Sequence, residues 1–198
     1  MNRILNHSIN IYEYKPIKAH GYIKLPDWIN NKKATINIQN KDDKCFVYCL
    51  ARRFDKNPEK HHLERISKHI LDVCSKLNFD KIKSPVNIED IPKIEKDFEI
   101  TINVCGHGEN EGIYPIKING KVIDESKHID LLITNEDDNS HYVWITDFDK
   151  LCYTQTKCYN NKYFCKNCIQ CFPTKEILER HKPDCLILNG CQAVSMPE

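Results

Sequence analysis

Four residues near the end of the chain have the types and spacing to hold a metal: Cys165-x2-Cys168-x12-His181-x3-Cys185. Zinc takes thiolates and neutral imidazoles in fours, tetrahedrally. A two-residue knuckle delivers one pair, and an i, i+4 pair on one helix face delivers the other. Phe172, four residues after the second cysteine, and Leu178, three before the histidine, supply the miniature core of a ββα finger over residues 163–185. Such a finger folds only around its metal, so Zn2+ is the expected cofactor. Cys171 and Cys191 stand close enough in sequence to replace a ligand, and Cys158 to compete.

Set in a major groove, this finger would face bases with Thr174, Ile177 and Arg180. Of these Arg180 is the good base reader, through guanine O6 and N7, and Lys175 and Lys182 are candidate phosphate contacts. Six Lys and Arg in 157–185 oppose Glu176, Glu179 and Asp184, a mildly basic balance. One finger reads about three base pairs, which leaves DNA and a protein partner as alternatives.

A second constellation could support nucleophilic catalysis. Cys45 falls in the first turn of an expected helix, where the dipole and free amides favour a thiolate. His141 opens a late strand and would be the base, and Gln39, six residues before Cys45, a donor to an oxyanion. Asp42 is placed to orient local hydrogen bonds, whereas Asp147, six residues past His141, would lie roughly 20 Å along a straight strand and cannot hold its imidazole. In the alternative reading Cys45 and Cys49 are small buried hydrophobes and His141 a strand-edge residue. His61 and His62 point to different faces of a helix, and Cys105-Gly-His107 reads as a strand end. Neither a phosphate loop nor a dinucleotide fingerprint is present.

The elements that must position these residues follow from patterning. Ala34, Ile36 and Ile38 alternate as a short strand. Asp43 is the expected N-cap of a helix over 44–54, and Leu63, Ile66, Ile70, Cys74 and Leu77 share one face of a helix over 62–77. Residues 99–105, 112–118, 129–134 and 141–146 read as strands separated by Gly, Asn and Asp clusters. Helices first and strands after give an α+β fold, two helices packed on an antiparallel sheet, followed by the finger. The domain reading is a mobile arm (1–21), a core (22–152), a linker (153–162), the finger (163–185) and a tail (186–198).

Bulk properties narrow the function classes. Lys and Arg (29) nearly balance Asp and Glu (28) in 198 residues, so no general electrostatic case exists for nucleic acid or an anionic membrane. The longest apolar run, 45–51, is too short to span a bilayer. Eleven cysteines without a signal peptide, four at metal spacing, point to a reducing, intracellular compartment, cytoplasmic or nuclear. No small-molecule cofactor and no membrane partner are expected.

Taken in order, the segments 22–29 (YIKLPDWI), 34–40 (ATINIQN), 43–46 (DKCF), 88–95 (IEDIPKIE), 128–132 (HIDLL) and 141–147 (HYVWITD), then the finger, Cys191 and 196–198 (MPE), form one series. This series resembles the region ahead of the exonuclease domain in family B DNA polymerases of Polinton/Maverick transposons and related viruses. The resemblance spans roughly residues 22–198. It implies a mobile-element or viral origin, a finger near DNA or a replication partner, and Cys45 and His141 in motif positions. Asp42-Asp-Lys-Cys45 is similar to the Asp-x-x-Cys lead-in of papain-like or ovarian-tumour-like proteases, but lacks the usual Gly-Asn. The chain ends where the exonuclease's acidic motif would begin, so neither polymerase nor exonuclease activity is expected. Two functions follow: a zinc-finger accessory protein, or a papain-like cysteine peptidase or deubiquitinase-like hydrolase carrying Cys45, His141 and Gln39.

Overall fold

The computed structural model describes residues 18–19, 21–108, 112–119, 124–136, 139–153 and 162–188. Two short strands, β1 (Lys18–Ala19) and β2 (Thr35–Ile36), join four longer ones, β3 (Thr101–His107), β4 (Ile113–Lys117), β5 (His128–Glu136) and β6 (Asn139–Ile145). They form one sheet in the order β1-β6-β5-β3-β4, with β2 also on β6. The expected antiparallel sheet is corrected to a mixed one, because β3 and β5 run parallel, as do β1 and β6. The reason is connectivity. β4 folds back on β3, so the chain re-enters the sheet at the end where β3 began, and β5 takes the direction of β3.

Among the described residues six α-helices complete the fold: α1 (Asp27–Asn30), α2 (Cys45–Phe54), α3 (Lys68–Lys76), α4 (Ile91–Phe98), α5 (Phe148–Cys152) and α6 (Lys175–Leu188). α2 starts with Lys44, not Asp43, at its N-cap position, and no side chain caps it. α3 is shorter than the helix expected from residue 62. His62 takes a positive φ of 55°, and Ser67 begins the helix by accepting a hydrogen bond from the Ile70 amide at 3.2 Å. α4 escapes periodicity because eight residues give it only two fully buried anchors, Ile91 and Ile94.

Strand alternation sorts two cores. Ile102, Val104, Ile129, Leu131, Ile133 and Tyr142 face α2, α3 and α4. Cys105, Leu132, Val143 and Ile145 face α1 and α5, together with Phe164 of the finger. Residues 45–52 of α2 are buried in succession, which makes it the central helix. Its one charged buried member, Arg52, pairs with Glu59 at 2.6 Å and donates to the Arg65 carbonyl at 2.6 Å. The chain expected as a mobile arm is tied in where it is described. Lys18 and Ala19 pair with Asn139 and Ser140, and the Gly21 amide donates to the Asp42 carbonyl. Residues 1–17 and 20, most of the expected linker (154–161) and the tail beyond 188 lie outside the described residues.

Ile102, fully buried between β3 and the helices, should cost about 3 kcal/mol on replacement by alanine in urea unfolding. Leu71→Ala, at a site 47% exposed on α3, should change stability by about 0.5 kcal/mol or less.

Candidate metal centre and the Cys45–His141 region

Two short strands, β7 (Tyr163–Phe164) and β8 (Cys171–Phe172), pair antiparallel and lead into α6, the ββα order expected from the spacing. Between them the chain closes a knuckle. The Cys165 amide donates to the Gln170 carbonyl, and the Ile169 amide to the Cys165 carbonyl at 2.7 Å, with Ile169 at φ 59°. The Thr174 hydroxyl accepts from the Ile177 amide and starts α6. Phe172 and Leu178 form the small core as expected, and the Phe172 ring lies 4.5 Å from that of His181.

The ligand atoms of Cys165, Cys168, His181 and Cys185 all lie within 4.8 Å of one another. Cys165 and Cys185 sulfurs are 3.8 Å apart, and Cys168 Sγ is 3.3 Å from His181 Nε2. Tetrahedral zinc with Zn–S bonds of about 2.3 Å requires sulfurs about 3.8 Å apart, so the cluster has the size of a metal centre. The hydrogen bond between the two knuckle sulfurs pulls Cys165 down and pushes Cys168 up, one proton being shared between them. Cys171 stands in β8 outside this cluster, and Cys158 and Cys191 lie outside the described residues.

The finger is seated on the core by a buried polar network. On the second face of the sheet, His128 Nε2 contacts Asp130 Oδ1 at 2.8 Å and its Nδ1 meets the Thr101 hydroxyl at 2.8 Å. Lys166, beside the first ligand cysteine, reaches Asp130 at 2.9 Å and Glu125 at 3.0 Å. Burial opposes the charge of Lys166, but Asp130 and Glu125 more than offset it and hold the ammonium above its usual range. Asp130 is held below its own range, against burial, by its hydrogen bond to His128 and by Lys166. Asn103 Nδ2 donates to the Lys166 carbonyl, and Asp149 accepts from the Phe164 amide at 2.7 Å.

A crevice of about 660 Å³ remains between finger and core. Its walls carry Glu125, Asp147, Asp149 and Glu179 against Lys166, Lys175 and Lys182. Lys175 and Lys182, expected as phosphate contacts, thus face a crevice with more carboxylates than lysines, and Lys182 is paired with Glu179 at 2.6 Å. Arg180 is exposed.

The structure also brings Cys45 to the His141–Tyr142 peptide. The Tyr142 amide donates to Cys45 Sγ at 3.4 Å, and the Cys49 thiol donates to the Tyr142 carbonyl at 3.6 Å. His141 Nε2 lies 2.8 Å from Asn37 Oδ1. Asn37 is the partner that sequence reasoning missed, because 104 residues separate it from His141 and a histidine's third member was sought downstream. The downstream acids serve elsewhere: Asp147 caps α5 through the Lys150 amide, and Asp149 holds the finger. Asp42 accepts from the Lys44 amide and the Tyr48 hydroxyl. Gln39, expected as an oxyanion donor, is exposed, and no hydrogen bond of its side chain ties it to Cys45 among the described residues. Burial raises the Cys45 thiol to about 11 and lowers His141 to about 4.

Set against protein-family models, characterised proteins and solved structures, the chain matches none. Among the described residues no helix is long and apolar enough to cross a membrane.

His141 carries a pH signature. Its pKa is lower folded (about 4) than its ordinary 6.5, so the unfolded chain binds the extra proton between those values. The contribution, about 3 kcal/mol, is complete above pH 6.5 and lost as pH falls to about 4. Urea unfolding at pH 7.5 and 4.5 should show this loss in the wild type and not in His141→Gln. Lys166→Met should retain the bound metal yet lower the melting temperature of the core, because it leaves Asp130 buried without its cation.

Proposed function

We propose that the chain is a zinc-binding accessory module in which the finger docks on an α/β core and offers its outer face to a macromolecular partner. The convergence of the Cys165, Cys168, His181 and Cys185 ligand atoms within 4.8 Å carries this reading. When bound, zinc supplies the folding free energy that so small a ββα unit lacks. Cys165 and Cys168 would hold it from the knuckle, His181 and Cys185 from α6.

Between a protein partner and DNA, the charge distribution favours the protein. Lys175 and Lys182 line a crevice that also carries Glu125, Asp147, Asp149 and Glu179, and Arg180 is the exposed base reader of the expected set. The motif series that resembles the region ahead of the exonuclease in transposon and viral polymerases makes a replication protein, and DNA itself, the natural candidates. A mobile-element or viral origin belongs to the same proposal.

One zinc per chain should be found by metal analysis, and removal by a chelator should abolish the α6 contribution to far-ultraviolet circular dichroism. His181→Ala should lose the metal, whereas Cys171→Ser should keep it. In a gel shift, binding to a 20-base-pair duplex should stay in the non-specific range, weaker than about 1 μM at physiological salt. Tighter binding that Arg180→Ala relaxes would shift the reading to DNA recognition.

A further inference from the structure

The Gly21–Tyr22 strap is bonded to the loop before Cys45, and its Tyr22 ring stands against His141, whose neighbour Tyr142 donates to Cys45 Sγ. The Asn37 amide is oriented by its own contacts: Nδ2 donates to the Ile23 carbonyl at 2.9 Å, so Oδ1 faces His141 Nε2 at 2.8 Å. An amide oxygen can only accept, hence Nε2 carries the ring proton and the Nδ1 lone pair is left as the basic site. His141 is completely buried, and among the described residues Nδ1 has no hydrogen-bond partner. The Tyr142 amide places Cys45 Sγ within about 6 Å of the His141 Cα, by adding its 3.4 Å contact to fixed bond lengths.

The sulfur sits in the first turn of a ten-residue helix with no side-chain cap, and the Phe46 amide is directed at it. Such amides favour a thiolate and can receive a developing oxyanion. Asn40 Oδ1, in the loop just before the helix, is a second buried polar atom without a partner. Unsatisfied buried groups are uncommon, and His141 Nδ1 and Asn40 Oδ1 are two of five among the described residues.

The strap explains the closed state. The Gly21 amide donates to the Asp42 carbonyl and the Tyr22 amide to the Asn40 carbonyl, while the Tyr22 ring stands edge-on to His141 at 6.2 Å. Just before it, Lys18 and Ala19 extend the sheet along β6. An extended peptide laid on the same edge would make the same backbone bonds.

We propose that Cys45, His141 and Asn37 form a thiol acyl-transfer centre for extended peptides, held latent by the Gly21–Tyr22 strap. In the open form the Cys45 S–H proton passes to His141 Nδ1 and Sγ bonds to the substrate carbonyl carbon. The carbonyl–nitrogen bond then breaks as the imidazolium returns that proton to the leaving amine. Water attacks the thioester, giving up its proton through His141, and the acid and free thiol are released. Asn37 touches no reacting atom and acts as a positioning residue that fixes the tautomer. While the strap is closed, burial keeps both thiol and imidazole neutral, and the nearby carboxylate of Asp42 further opposes the thiolate.

Gly21 offers a lever outside the centre. It has a φ of 61°, and a Cβ there would stand 3.4 Å from the Asn40 carbonyl oxygen, so Gly21→Val should loosen the strap. The zinc-loaded full chain is treated with p-nitrophenyl acetate across pH 5–10, and acetyl-Cys45 is quantified by peptide mass mapping, with buried Cys49 and Cys74 as references. Gly21→Val should acetylate Cys45 faster than the wild type, with an inflection below the ordinary thiol value of about 8.5. Adding His141→Ala should slow the reaction about a hundredfold, and adding Asn37→Ala should raise the inflection. Should Gly21→Val fail to fold by circular dichroism, Tyr22→Ala, which keeps the backbone, takes its place. A folded strap variant whose Cys45 stays unlabelled, or labels only near pH 8.5 and regardless of His141, overturns the proposal.

Discussion

The peptide group of Tyr142 is the point on which the architecture turns. β6 pairs with β5 along its whole length, but among the described residues its other edge is covered only at the ends, by β1 at Asn139 and Ser140 and by β2 at Trp144 and Ile145. In between, a buried N–H and C=O would each cost about 1–3 kcal/mol if left unpaired. Cys45 accepts from that N–H and Cys49 donates to that C=O, one helical turn apart. Two thiols on one helix face thus close a sheet edge that lacks a strand. This fixes where α2 begins and how it crosses the sheet, and hence which residues line the core beneath it. Cys45 therefore has a structural duty whatever its chemistry.

The two faces of the sheet make different demands. The face under α2, α3 and α4 is apolar and is satisfied by close packing. The other carries Thr101, Asn103, His128 and Asp130 at the start of β3 and β5, a buried polar patch that needs a counter-charge. The finger supplies it with Lys166, from the knuckle that also presents Cys165 and Cys168. Buried ion pairs contribute little net stability, yet an unpaired member is costly, so the contact specifies position more than it adds energy. The candidate metal ligands and the docking contact are in this way carried by neighbouring residues of one turn.

Local chemistry made the finger legible. Its ligands fall within 21 residues, the knuckle and helix that hold them are short-range structures, and Phe172 and Leu178 took the core positions that their spacing predicts. The four long strands were legible because one residue in two faces a core, a period that needs no knowledge of what covers the face. Strand direction was not, because it depends on where β4 releases the chain and which edge of β3 is vacant. Nor was α4 with its two anchors, nor the true start of α3, which Ser67 sets by a side-chain bond.

The same division holds for the sites. The sequence by itself determined the metal centre and singled out Cys45 and His141, since residue type and helix position are local properties. Only the tertiary structure decided that Asn37 orients His141, that Gln39 stays at the surface, and that Lys175 and Lys182 line the crevice between finger and core. Each depends on contacts between segments tens of residues apart, whose meeting is governed by sheet order and the burial of whole faces. No spacing along the chain encodes such meetings; they exist only once the chain has closed on itself.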